Sequence, residues 1–384
     1  NVIGFGDPFG ATAPNSVLQM EHGSRFMYRT RGSSLNLSGR TLGDFDFESG
    51  TSVTIAGTLP VTMDSLFVGV GTLWLNCAAT VTVRGNVTVK SGAALTIGTG
   101  DFANPMKLAG TAPQRITRYG ALSTSTTAAL TIDNPAGVTL GSDLAWSGGI
   151  TFVHGVLHTG VSVLELGSAA TLTDAADATG WIDGRVRRTI PAGVSSRTFP
   201  VGTASAFAPL QLDVTLPQYS FEFPLTVSCT DGAAPGLVDA PVDTAHVLKR
   251  YWTLSAPSIP ASLDYTAKMT YAPSDLDAGT LAAELSPFQF SNYWSPRAGG
   301  ATPPNSITAA HCTTLGVLTA AKAWYRDYGV MVTVDGPGTV MRSPDQESYA
   351  YGSIVTLTAQ PTAPATFVGW SGDTTATLNP LPIA

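Results

Sequence analysis

Three acidic residues alternate with two phenylalanines near the start of the chain. Asp44, Asp46 and Glu48 are separated by Phe45 and Phe47. On a β-strand this spacing places the three carboxylates on one face and both rings on the other. Such a face could bind Ca²⁺, although Ca²⁺ takes about six to eight oxygen ligands. The simpler alternative is a solvated strand face above a phenylalanine core, and no D-x-D-x-D-G loop accompanies the cluster.

Imidazole and guanidinium groups form two further clusters. His154 and His158 flank a turn, and with a distant third ligand they could hold a metal ion. A strand-turn segment does not bring two such residues side by side as a helix would, so we do not expect a metal there. Arg185, Arg187 and Arg188 could bind a carboxylate or a sugar acid. Their position between two predicted domains favours a structural role in tying those domains together.

Tryptophans could form a stacking platform for glycans. The candidates are Trp252, Trp294, Trp324 and Trp370. Trp252 and Trp370 lie in strand-like sequence typical of a core, which leaves Trp294 and Trp324 as the candidate ligand-binding residues. Core burial is the alternative for them too, because aromatic side chains in all-β proteins supply much of the buried area.

The cysteines are widely spaced. Cys77, Cys229 and Cys312 form neither a disulfide framework nor a C-x-x-C metal site. Cys229 and Cys312 fall in one predicted domain and could form a disulfide if the protein is extracellular. Cys77 is then expected to be a small buried hydrophobic residue.

The elements that must position these residues are short strands. Alternating triplets such as Val87–Val89, Leu95–Ile97, Leu130–Ile132 and Val138–Leu140 recur between turns rich in Gly, Asn and Ser. Three such strands make a turn of about 20 residues, which predicts a right-handed parallel β-solenoid over residues 1–180. An antiparallel meander is the competing interpretation.

The remainder of the chain has a different pattern. Residues 181–322 contain longer strands with more aromatic residues and prolines, which predicts an antiparallel β-sandwich. Asp275 to Leu285 could form a short helix. Residues 323–384 form a third, small all-strand module that begins with the alternating segment Val330–Val334. The predicted fold class is therefore all-β throughout.

Composition excludes several classes of function. Only 12% of residues are charged and the net charge is −7, so there is no broad basic surface for nucleic acid or anionic lipid. No apolar run reaches the roughly 18 residues of a membrane span, so direct membrane insertion is not expected. No catalytic or cofactor-binding motif is present. We therefore predict a protein that is not an enzyme and needs no cofactor, with Ca²⁺ as the one candidate ion.

The last module resembles the bacterial internalin B-type repeat, a small β-grasp-like unit. The residues that carry the resemblance are Gly336, Gly338, Val340, Pro344, Tyr349, Gly352, Val355, Leu357, Ala359, Pro361 and the run from Phe367 to Asp373. Ala363 and Pro364 depart from the pattern, which has a Gly-aromatic pair there. The chain also stops at Ala384, before the closing strand of the family, so we expect the natural polypeptide to continue. An incomplete sheet has an open edge that can pair with another strand.

Residues 1–322 are similar to repeats in large secreted surface proteins of the Bacteroidota and Chlorobi, many exported by the type 9 secretion system. The similarity lies in Phe26–Arg29, Gly39–Gly43, Leu130–Asn134, Gly137–Leu140, Gly155–Gly160, Asp183–Arg188, Thr198–Gly202 and Arg250–Trp252. It implies a secreted, extracellular or cell-surface location and a structural or adhesive role. We predict assembly with copies of itself into a fibre or surface layer through open β edges. A carbohydrate-binding adhesin that contacts surface glycans is the alternative, and a β-helix polysaccharide lyase that uses Asp44 and Asp46 is a third hypothesis.

Overall fold

The fold is all-β, as the sequence predicts. The computed structural model describes residues 19–29, 31–98, 105–217, 220–324, 327–350 and 353–383. Strands account for 55% of the chain and helices for 2%, and a parallel solenoid of about 8 turns precedes antiparallel sheets. The short helix expected between Asp275 and Leu285 is replaced by two 3-10 turns, Pro273–Asp275 and Ala282–Glu284, and a third 3-10 turn is Leu237–Asp239.

Among the residues that the structure describes, the solenoid contains nineteen strands, most of them three to five residues long. They are β1 (Arg25–Tyr28), β2 (Ser34–Asn36), β3 (Thr41–Leu42), β4 (Asp44–Gly57), β5 (Val61–Met63), β6 (Leu66–Cys77), β7 (Val81–Val83), β8 (Val87–Val89), β9 (Ala94–Ile97), β10 (Met106–Leu108), β11 (Gln114–Arg118), β12 (Ala121–Thr124), β13 (Leu130–Asp133), β14 (Val138–Leu140), β15 (Leu144–Trp146), β16 (Ile150–His154), β17 (Leu157–Leu166), β18 (Leu172–Thr173) and β19 (Ile182–Ile190).

These strands stack into three faces. Face A is the 7-stranded sheet β3-β5-β7-β10-β13-β16-β18. Face B contains β1, β8, β11 and β14 with the first halves of β4, β6, β17 and β19. Face C contains β2, β9, β12 and β15 with the second halves of those four long strands. The long strands turn a corner halfway along, and each therefore contributes to two faces.

Every pairing between the described strands β1 to β19 is parallel, which excludes the antiparallel meander. Val61 pairs with Val81, and Leu130 with Ile150, which is the repeat of about 20 residues that the sequence predicts. Inward-facing side chains from all three faces form one continuous core. Leu95, for example, is completely buried, and burial of a leucine contributes about 1.5–3 kcal/mol.

One corner of the solenoid requires glycine. Gly71 joins the two halves of β6 with a φ of 79°, a left-handed conformation that glycine adopts without strain. A Cβ atom at this position would lie 2.1 Å from the carbonyl oxygen of Ser49 in the preceding turn. Consecutive turns of the solenoid can therefore approach this closely only because residue 71 is a glycine and has no Cβ atom.

The second region is a two-sheet antiparallel sandwich. Its further strands are β20 (Val194–Phe199), β21 (Val201–Gly202), β22 (Leu210–Thr215), β23 (Phe223–Asp231), β24 (Val242–Val247), β25 (Arg250–Ser255), β26 (Asp264–Thr270), β27 (Leu285–Phe290), β28 (Trp294–Pro296), β29 (Ala298–Thr302), β30 (Ser306–Cys312) and β31 (Gly316–Ala323). One sheet has the order β20-β22-β26-β30-β29. In the other, β23 pairs with β25, β25 with β31, and β31 with β27.

The solenoid and the sandwich share a strand. Along one edge β19 pairs in parallel with β17 of the solenoid, and along its other edge it pairs antiparallel with β23 of the sandwich. Val186 thus lies between Leu164 and Val227. The predicted boundary between residues 180 and 181 therefore falls just before a strand that belongs to both regions. The sandwich covers an edge of the solenoid that was expected to be open.

The carboxyl-terminal module contains two small antiparallel sheets. Its strands are β32 (Asp327–Tyr328), β33 (Gly338–Ser343), β34 (Tyr349–Ala350), β35 (Val355–Pro361) and β36 (Leu381–Ile383). β32 pairs with β34, and the other sheet has the order β33-β35-β36. The strand predicted at Val330–Val334 is absent: this alternating segment pairs with no neighbouring strand among the described residues.

Candidate functional site

The three carboxylates proposed as a calcium site have separate environments. Asp46 is nearly buried and forms an ion pair with Arg25 of β1. Phe45 and Phe47 point into the core, as predicted, and a register shift follows Phe47. Glu48 lies against Gly69 of the next turn, where a Cβ would be 2.5 Å from its Oε1 atom. Within the described parts of the chain no three His, Cys, Asp or Glu side chains are grouped to hold a metal ion, so the predicted metal cluster does not form.

Each histidine has an aspartate partner of its own. The Nδ1 atom of His154 lies 2.7 Å from Asp133, and that of His158 lies 2.9 Å from Asp183. Lys107 also contacts Asp133, at 2.6 Å. The hydrogen bond from Lys107, and after it the one from His154, holds the pKa of Asp133 below its ordinary value. These pairs connect neighbouring turns of the solenoid and do not bring the two imidazoles to a common site.

The arginine cluster ties the solenoid to the sandwich, as the sequence predicts. Arg187 contacts Glu165 of β17 and Thr226 of β23. Arg188 donates hydrogen bonds to the carbonyl oxygens of Ala170 and Thr198, which lie on opposite sides of the junction. Burial and the nearby Arg197 lower the pKa of Arg188. Both side chains are therefore engaged by the protein itself.

A buried ion-pair network lies within the sandwich, and no motif or spacing in the sequence predicts it. Arg250 is 1% exposed and binds both carboxylate oxygens of Asp275, at 2.6 and 2.9 Å. It also contacts Asp231 at 2.8 Å. Burial by itself lowers the pKa of Arg250, but the hydrogen bonds that Arg250 donates to Asp275 and Cys229 outweigh it and leave the pKa above its ordinary value. This geometry positions β25 against the 3-10 turn Pro273–Asp275, and it leaves Arg250 no capacity for a ligand.

The predicted disulfide is absent, because Cys229 and Cys312 are both buried thiols; Cys77 is buried too, as expected. Cys229 lies on β23, and its sulfur accepts a hydrogen bond from Arg250. Cys312 lies on β30 in the opposite sheet of the sandwich, paired with Tyr265. Burial raises the pKa of Cys229 to about 12 and that of Cys312 to about 11. Thiols of this kind act as small hydrophobic residues.

The tryptophans do not form the predicted stacking platform. Trp294 is 3% exposed and packs against Phe290, with 5.4 Å between the ring centroids. Trp324 is exposed whereas Trp294 is buried, so the two predicted residues do not share one accessible surface. Trp252 is buried, as expected, and its indole N–H donates to the carbonyl oxygen of Ala208. The exposed tryptophan that the prediction missed is Trp74, on face C of the solenoid.

A cleft of about 450 Å³ lies in the carboxyl-terminal module. One wall is the unpaired segment Val330–Val334, and the other is formed by residues 365–371, which include Phe367 and Trp370. Inward-facing residues of the β33-β35-β36 sheet, such as Leu357, form its floor. Met331 on the unpaired segment is 93% exposed. An extended segment that pairs with no described strand and borders such a cleft is the kind of edge that accepts a further strand.

Comparison with known proteins supports the interpretation of this module. Residues 328–381 match a protein family described as a divergent InlB B-repeat domain. No curated protein and no solved structure matches the chain. No helix among the described residues is long and apolar enough to span a membrane. An InlB-like repeat joined to a β-solenoid fits a surface or adhesion-type protein, and the repeat suggests surface exposure.

Proposed function

We propose that this chain is a secreted, extracellular structural or adhesive protein of the cell surface. The observation that carries the proposal is β19, the strand shared by solenoid and sandwich. A strand paired along both edges joins the two regions into one continuous hydrogen-bonded unit, which suits a load-bearing rod. The InlB-like repeat at residues 328–381 and the resemblance of residues 1–322 to secreted surface proteins of the Bacteroidota and Chlorobi support the same role and an export route of the type 9 kind.

The assembly site of this rod is the cleft of the carboxyl-terminal module. A strand from a second copy of the chain pairs with Val330–Val334 and places alternate side chains into the cleft above Leu357. Main-chain hydrogen bonds supply affinity in this mode of recognition, and the pockets for alternate side chains supply specificity. Repetition of the contact from copy to copy gives a fibre or a surface layer.

Sedimentation and electron microscopy over a concentration series test this function. The purified chain is expected to form assemblies that grow with concentration. Val332→Asp places a charge on the cleft wall and should hold the chain as a monomer, because a buried unpaired charge is costly. Val238→Asp is the matched control at an exposed position of the sandwich and should assemble normally. A wild-type chain that stays monomeric at high concentration would refute the proposal.

A further inference from the structure

The three faces of the solenoid differ in charge. Face A carries the cluster Lys107, Asp133 and His154, and face B carries the pair His158 and Asp183. Over its first five described turns, face C carries no charged or histidine side chain. The stretches 32–37, 50–57, 70–77, 91–97 and 119–124 contain no Asp, Glu, Lys, Arg or His. Charge returns to this face in the sixth turn with Asp143, which precedes β15, and then at the sandwich junction with the ion pair between Glu165 and Arg187.

A column of polar side chains runs along this uncharged part of face C, with one tryptophan at its centre. Parallel register places Ser34 beside Thr54, Thr54 beside Trp74, Trp74 beside Thr96, and Thr96 beside Ser123. These residues point outward because their strand neighbours, such as Leu73 and Leu75, are buried. Strands in a sheet lie about 4.8 Å apart, so the five turns extend over roughly 19 Å.

The tryptophan is presented to solvent on a flat surface. Trp74 is 39% exposed, and Tyr119, at the corner that leads into β12 of the same face, is 71% exposed. Aromatic side chains provide a large apolar area that can stack on the C–H face of a pyranose ring. The neighbouring hydroxyl groups can both donate and accept hydrogen bonds, which matches the hydroxyl groups of a sugar.

We infer that this field, defined by Ser34, Thr54, Trp74, Thr96 and Ser123, binds a neutral linear polysaccharide. Repeated hydroxyl groups along the solenoid axis match a ligand that itself repeats. The absence of cations in these stretches disfavours acidic polysaccharides, whose carboxylates need a basic partner. A protein partner is disfavoured because the core of a protein interface contains several packed apolar anchors, whereas this field has one tryptophan among small polar residues.

Binding of defined polysaccharides to the full chain tests the inference. The probes are soluble mixed-linkage β-glucan, xylan and galactomannan, insoluble cellulose and chitin, and polygalacturonate as the acidic comparison. Retardation in affinity gels and depletion from solution report binding. The wild-type chain is expected to bind at least one neutral probe and to bind polygalacturonate much more weakly.

Variants locate the site. Trp74→Ala should weaken binding by at least about tenfold, the loss typical of an anchoring aromatic residue. Trp74→Phe keeps an aromatic ring and should give an intermediate loss, and Thr54→Val with Thr96→Val should weaken binding without removing the ring. Trp324→Ala removes an exposed tryptophan elsewhere and should bind like wild type. Thermal melting by circular dichroism confirms that each variant is folded.

Polysaccharide binding and self-assembly can be tested independently, because they use different surfaces of the chain. Val332→Asp should keep polysaccharide binding, and Trp74→Ala should keep concentration-dependent assembly. The inference is overturned if no neutral probe binds the wild-type chain or if folded Trp74→Ala binds as well as wild type. It is also overturned if Trp74→Ala abolishes self-association, which would make face C a contact between copies.

Discussion

Two segments with almost the same pattern behave differently in this molecule. Val81–Val83 in the solenoid reads Val-Thr-Val, and the same three residue types end the segment Val330–Val334 in the carboxyl-terminal module. The first lies in register between Val61–Met63 and Met106–Leu108, and both of its valines are buried. The second has no strand beside it among the described residues and leaves Met331 in solvent.

The comparison shows that a strand needs its neighbours. Alternation selects which side chains can be buried together, but the ladder of hydrogen bonds exists only where another backbone lies alongside. In the solenoid each turn supplies that backbone for the next, and the sandwich supplies it for the last turn through β19. The module provides the floor and walls of a cleft without the strand that would fill it.

The largest expected effect concerns the buried ion pair that holds the sandwich together. Arg250→Met leaves Asp275 buried without its cation and should lower the free energy of unfolding by about 3–5 kcal/mol. Urea denaturation followed by circular dichroism measures this loss. Arg250→Met combined with Asp275→Leu should recover part of the stability, because the buried charge is then removed. A single variant as stable as wild type would show that the network does not hold β25 in place.

A matched pair of leucine truncations compares the two regions directly. Leu95→Ala empties a fully buried position of the solenoid and should cost about 2–5 kcal/mol. Leu378→Ala changes an exposed leucine of the module and should alter stability by about 0.5 kcal/mol or less. Urea midpoints of the two variants provide the measurement. Similar losses in both would contradict the difference in packing described above.

The smallest effect concerns pH. The folded pKa of Asp133 is lowered by Lys107 and His154, so this carboxylate stabilises the fold above its unfolded pKa of about 3.9. That contribution is lost as the pH falls through the lowered folded value. Asp133→Asn should therefore flatten the acid limb of the stability curve slightly, whereas Glu222→Gln at an exposed position should not. Stability curves from pH 7 into the acid range decide between these outcomes, and an unchanged acid limb in Asp133→Asn would argue against the linkage.

Much of the solenoid could be predicted, because triplets such as Leu95–Ile97 recur at the spacing of a turn and their inward positions are read from alternation alone. The shared strand could not, since the pairing of β19 with β23 depends on residues about forty positions away that sequence periodicity does not connect. The same limit explains why the predicted disulfide was wrong. Cys229 and Cys312 share a domain but lie on opposite sheets of the sandwich.

The aromatic residues show where the sequence could have been used better. The sequence leaves ligand binding and core burial open for Trp294, and the structure buries it against Phe290, four residues earlier. Trp74 stands between Leu73 and Leu75, and period-2 alternation places it on the outer face when both leucines are buried. That signal was present in the sequence. The burial of Asp46 could not be predicted from the sequence, because it depends on the ion pair with Arg25 in the preceding turn.

Hydrogen–deuterium exchange of the intact chain, read by mass spectrometry, tests the central structural claim most directly. Peptides covering Ile182–Ile190 should be among the most protected, because β19 is paired along both edges. Peptides covering Val330–Val334 should exchange rapidly in the monomer and become protected as assemblies form. Rapid exchange of β19, or full protection of Val330–Val334 in dilute monomer, would contradict the account.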